Sequence, residues 1–127
     1  MNVALDTLTE TLNRLFSQIQ VEMLEKAKKN MMDRLKVVTE WSEFVPALNA
    51  LHLVLASWCN TVECEKAIKL DSSEEAKNLT ADGFALTAAA KSLCIPADQN
   101  LANRPLPAKC FHCANEAKVW CLFGRSY

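Results

Sequence analysis

The sequence predicts an α+β fold, with a long N-terminal helix followed by a small mixed sheet of about three strands and short helices. Three observations predict it. Residues 1–45 contain neither Gly nor Pro and repeat apolar side chains every three or four positions. Short apolar runs after residue 50, at residues 51–55, 91–95 and 117–123, sit between polar, Pro-containing or turn-forming stretches. Cysteines fall in two tight groups, Cys59 with Cys64 and Cys110 with Cys113. We therefore divide the chain into a helix over residues 1–40 and a compact module over 41–127.

The helix reads from Leu5 through Leu8, Leu12, Leu15 or Phe16, Ile19, Met23, Ala27 and Met31 to Leu35 and Val38. Asp6 or Thr7 is a candidate cap, and Glu10 follows Thr7 at the spacing of a capping box. Thirty helical residues would span on the order of 45 Å, against a radius of gyration of about 14 Å for a globule of this length. The helix therefore either breaks near Asn30 or extends past its own domain. Lys26, Lys28, Lys29, Arg34 and Lys36 make its later part basic, which reads as a solvated face. Residues 41–49 form a short helix, with Thr39 or Ser42 as caps and Pro46 acceptable near the first turn. The run at 51–55 is a buried strand leading to Cys59, and His52 beside it is a structural histidine.

Asn60 and Thr61 make a turn, and Thr61 caps a helix over residues 62–70 with Cys64 at its third position. Residues 71–81 are polar and read as a surface segment or a second short helix from Ser72 or Ser73. Residues 83–90 carry little pattern. Residues 91–95 form a strand that Pro96 ends, 97–107 form a loop, and 117–123 form the last strand.

Composition excludes several classes. Half of the residues are hydrophobic, enough for a core, and the formal net charge is −1. With a pI near 6.1, the chain lacks the signature of a dedicated nucleic-acid binder, a pI above about 9. No basic-then-apolar leader and no run of about 18 apolar residues is present. The expectation is a soluble, cytoplasmic protein without a membrane contact. Six cysteines then read as thiols or metal ligands rather than disulfides. Two glycines are too few for a phosphate-cradling loop.

Cys59 and Cys64, followed by Cys110 and Cys113, supply four thiolates, the complement of a closed structural zinc site. Ligands split between two short turns favour Zn2+ over an iron–sulfur cluster, whose cysteine runs are denser. A redox role for the Cys110-Phe111-His112-Cys113 turn needs a helix starting there, but a strand follows. His112 could replace one sulfur, although such a turn directs its two sulfurs to one side and His112 away. Cys94 and Cys121 read as small core hydrophobes. A filled four-sulfur zinc leaves no position for water, and no nucleophile-and-base pattern is present, so no catalytic residue is assigned.

Three segments, W-C-N-T-V-E-C-E-K-A-I-K, A-A-K-S-L-C-I-P-A-D-Q and K-C-F-H-C-A-N-E-A-K-V-W-C-L-F-G-R-S-Y, together resemble the C-terminal zinc-binding domain of eukaryotic- and archaeal-type prolyl-tRNA synthetases. Residues 8–29 resemble the connecting helix that follows that family's anticodon-binding domain. The resemblance implies a structural zinc on Cys59, Cys64, Cys110 and Cys113. It also implies a tail in which Arg125 and Ser126 position Tyr127, whose carboxylate turns toward the active site. ATP, proline and tRNA(Pro) would be handled by the catalytic and anticodon-binding domains of a parent enzyme, expected to be a homodimer. A second reading is a freestanding, non-catalytic adaptor that docks a protein or tRNA through the helix. Two departures from the family pattern stand out: Ala89-Ala90 and Ala97 flank the K-S-L-C-I-P segment, and Ala114-Asn115 must turn the chain where a glycine is usual.

Overall fold

The computed structural model describes residues 3–79 and 89–125. The chain divides into two compact units, Met1–Asp33 and Arg34–Tyr127. In the first, a short 3-10 turn at Leu5–Thr7 leads into helix α1, Leu8–Asp33, which runs unbroken through Asn30. Thr7 does not cap it: its hydroxyl donates back to the Ala4 carbonyl. None of the residues of α1 is buried, and Leu12, Phe16, Ile19, Met23, Leu24 and Met31 are all exposed.

The second unit is built on a four-stranded sheet with the order β1-β2-β4-β3: β1 is Leu35–Val38, β2 Leu53–Trp58, β3 Lys91–Cys94 and β4 Val119–Gly124. The strand beyond the expected three is β1, whose Leu35 and Val38 continue the helical spacing of α1. The β-branched pair Val37-Val38 favours extended backbone. Pairing also decides the matter, because Leu35 to Val38 run parallel to Leu53 to Ala56. A parallel pair needs a crossover, and helix α2, Trp41–Asn49, supplies it. The other pairs, β2 with β4 and β4 with β3, are antiparallel.

Helix α2 has Glu40 at its N-cap position, without a side-chain cap bond, and carries Pro46 in its second turn. The loss of one backbone bond there is offset by burial of Phe44, Val45, Ala47 and Leu48. Its C-terminus closes by a Schellman motif, in which His52 N–H donates to Ala47 and Leu51 N–H to Leu48. Leu51 holds the left-handed position (φ 61°) that glycine usually takes. Helix α3 is continuous over Val62–Leu79. Of the polar stretch expected over 71–81 as a surface segment or second short helix, residues 71–79 are the second half of α3, residues 80 and 81 lie outside the described residues, and Ser72 is fully buried. The Ser72 hydroxyl accepts the Ala90 N–H and donates to the Lys69 carbonyl. The weakly patterned residues 83–90 lie largely outside the described residues.

Alternation along the central strands puts Val54, Ala56 and Trp58 of β2 in one core with Cys121 and Phe123 of β4. Phe44 from α2 joins them, its ring 5.5 Å from Phe123 and 4.7 Å from Phe111. Cys121 is a buried core thiol as expected, but Cys94 is exposed. It stands opposite Leu122, so alternation turns it away from the core face that Cys121 occupies.

The loop expected over 97–107 contains a 3-10 turn, Gln99–Ala102, whose first residue extends the sheet. The Gln99 side-chain amide accepts the Trp120 N–H at 2.7 Å and donates to the Trp120 carbonyl at 3.3 Å. It substitutes for a strand neighbour at a point on β4 that the short β3 does not reach. Gln99→Ala leaves the Trp120 amide without this partner, so urea unfolding should show a loss of about 1–3 kcal/mol.

Candidate metal centre

Two turns and a helix start bring the four predicted sulfurs together. Cys59 lies just beyond β2, and Asn60 turns the chain with a left-handed φ of 58°, a conformation its short polar side chain tolerates. The Thr61 hydroxyl then accepts the Cys64 N–H at 3.4 Å and lies 3.3 Å from Cys59 Sγ. One side chain thus caps α3 and contacts a sulfur, with Cys64 in the first turn as its spacing predicted.

Cys110 and Cys113 sit on a tight hairpin. Lys109 and Glu116 bridge its base, and Cys110 N–H donates to the Asn115 carbonyl at 2.7 Å. Ala114 has φ 58°, a strained value for alanine, and makes the turn that a glycine would make more easily. The hairpin docks on the end of β2, where Phe111 N–H reaches the Ser57 carbonyl and Lys118 N–H the Trp58 carbonyl, both at 2.8 Å.

All four Sγ atoms lie within 4.8 Å of one another. Cys64 Sγ is 3.8 Å from Cys110 Sγ, and Cys59 Sγ is 3.5 Å from Cys113 Sγ. Zinc–sulfur bonds of about 2.3 Å in a tetrahedron require sulfur–sulfur edges of about 3.8 Å, whereas a disulfide brings sulfurs to about 2.05 Å. The donor set therefore fits one tetrahedral soft-metal ion and not two disulfides. Cys59, Cys64 and Cys110 are buried, and Cys113 is partly so.

The thiols differ in acidity. Burial works against ionisation of Cys59, but hydrogen bonds from Thr61 and Cys113 outweigh it and bring the thiol down to about 7. Burial, with neighbouring thiols adding to it, holds Cys64 well above the ordinary range, and burial also raises Cys113. Four thiolates so close would repel one another strongly without a cation. Cys121, outside the cluster, is pushed up to about 12 by burial and by the charges of Cys94 and Glu65, as suits an inert core thiol.

His112 does not join the four sulfurs, but neither does it point away from them. Its Nδ1 lies 3.7 Å from Cys64 Sγ and its Nε2 2.6 Å from Asp71 Oδ2 on α3. Sequence reasoning missed Asp71, although its place seven residues after Cys64 puts both on one face of a continuous helix. At the other end of the module, the Arg125 guanidinium donates to Asn49 Oδ1 at the end of α2. Ser126 and Tyr127 lie outside the described residues.

Metal binding to this cluster should release protons and strengthen as pH rises. The raised thiols of Cys64 and Cys113 are protonated near neutral pH and must ionise to bind. Calorimetric titration with zinc at about pH 7.5, in buffers of different ionisation enthalpy, should report two or more protons released per ion, with affinity falling toward acid pH.

Comparison with known proteins accounts for this arrangement. Residues 41–127 match the family model described as "Prolyl-tRNA synthetase, C-terminal". Over 98% of this chain, it is 43% identical to a putative proline–tRNA ligase of Schizosaccharomyces pombe and 39% identical to one of Saccharomyces cerevisiae, spanning 18% of the length of each. A crystal structure of prolyl-tRNA synthetase from Cryptosporidium parvum, complexed with halofuginone and AMPPNP, superposes with a TM-score of 0.81 at 32% identity, over 100% of this chain and 23% of that one. With its α+β sheet, its long helix and its four converging cysteines, the chain belongs to the family of prolyl-tRNA synthetase C-terminal domains.

Proposed function

We propose that this chain serves as the C-terminal structural module of a proline–tRNA ligase, holding one zinc ion on Cys59, Cys64, Cys110 and Cys113. The convergence of those four sulfurs within a chain of this family is the observation that carries the reading. A zinc with four protein sulfurs is closed to water, so its contribution is folding free energy and not hydrolysis. It clamps the start of α3 and the end of β2 to the hairpin that feeds β4.

Catalysis belongs to the parent enzyme. Its class II core would bind ATP and proline, its anticodon-binding domain would meet tRNA(Pro), and this module would act on both indirectly in a cytoplasmic homodimer. The bond from Arg125 to Asn49 holds the chain at its last described residue. From that anchor Ser126 and Tyr127 would carry the terminal carboxylate toward the active site. The exposed apolar side chains of α1 would be covered by the parent's preceding domains.

The test is proline-dependent ATP–pyrophosphate exchange by a related synthetase truncated before its C-terminal module. Adding this chain with zinc should restore exchange, and a Cys110→Ser chain should not. No restoration, together with direct tRNA or protein binding by the isolated chain, would overturn the reading in favour of a freestanding adaptor.

A further inference from the structure

Besides the ligand sulfurs, the His112 side chain of the Cys110–Cys113 turn reaches across to α3. It is well covered, with 13% of its side chain exposed, whereas its partner Asp71 is 51% exposed. Trp41 packs edge-on against the imidazole with ring centroids 4.7 Å apart. Trp41 is fixed in turn by a 2.9 Å hydrogen bond from its Nε1 to Glu75 of α3. The ring is therefore held on one side by a carboxylate and across its face by an indole, and its Nδ1 edge is turned to Cys64 Sγ at 3.7 Å.

We propose that His112 is a positioning residue of the metal centre: oriented by Asp71 and Trp41, it hydrogen-bonds the Cys64 sulfur and slows release of the ion. The inference rests on the zinc reading above. A divalent ion on four thiolates leaves an excess of negative charge, and donors placed around the sulfurs offset it. Two sulfurs have such neighbours nearby, the Thr61 hydroxyl at Cys59 and the Asn115 backbone N–H at Cys113. With its Nε2–H donated to Asp71, the ring supplies the equivalent donor at Cys64 through Nδ1–H, as an imidazolium, from the hairpin side. Because Asp71 and Cys64 both belong to α3, the ring also ties the hairpin to the helix directly, by a link that does not run through the metal.

The amide of asparagine can place its N–H close to where Nδ1 stands, while that of glutamine reaches toward the Nε2 position. His112→Asn and His112→Gln thus separate contact with the sulfur from contact with Asp71. The experiment loads the full chain and both variants with Co2+ and then with Zn2+. It records thiolate-to-cobalt charge-transfer absorption and the rate of zinc transfer to a chromophoric chelator. All three proteins should show four-thiolate cobalt spectra. His112→Gln should lose zinc about 10–100-fold faster than the parent chain, and His112→Asn should recover most of that loss. Equal release from His112→Gln and the parent chain, or from the two variants, would overturn the role of His112 while leaving the zinc reading intact. Failure of the parent chain itself to take up either metal would overturn both.

Discussion

The second unit depends on bringing sulfurs 46 and 54 residues apart in sequence to within 3.8 Å and 3.5 Å of each other. No short-range preference of the chain achieves that. Loop closure over such lengths costs conformational entropy, and buried thiols gain little by meeting. Ionised thiols would repel. A cation would change the sign of the interaction, since one ion would offset much of the charge and its bonds would exceed the closure cost, roughly 10–16 kcal/mol being typical of small zinc modules.

What the centre fixes, the aromatic core makes use of. Phe111, between the two hairpin ligands, is buried with Phe44 and Phe123 at ring distances of 4.7 and 5.4 Å. Trp58, next to Cys59, packs edge-on against Phe123 at 5.9 Å. The four cysteines and the core residues thus share the same short segments, so the hairpin could not leave a bound metal without withdrawing Phe111 from the core. Burial of such a ring is worth about 1.5–3 kcal/mol. A bound metal and hydrophobic burial would therefore stabilise one arrangement of the sheet, with β4 between β2 and β3.

Much of this was legible in the sequence, and the physical reasons for the rest are particular. Forty-five residues without Gly or Pro announced α1, and two cysteine pairs announced the centre, because helix propensity and ligand spacing are local signals. The strand β1 was hidden because Leu35 and Val38 fit a helical repeat as well as they fit a strand, and only pairing with Leu53 to Ala56 distinguishes them. The continuity of α3 was hidden because Asp71, Ser72 and Ser73 resemble a surface break, although Ser72 is buried by its bonds to Lys69 and Ala90. Gln99, Leu51 and Asp71 act through partners far along the chain or through backbone states that their residue types rarely adopt. No periodicity reports those.

Zinc K-edge X-ray absorption on the reduced, metal-replete chain tests the coordination of that single ion most directly. One zinc per chain with four sulfur neighbours at about 2.3 Å is the predicted result. A chain that retains no metal, or one whose zinc is bound mainly by nitrogen and oxygen, would contradict it.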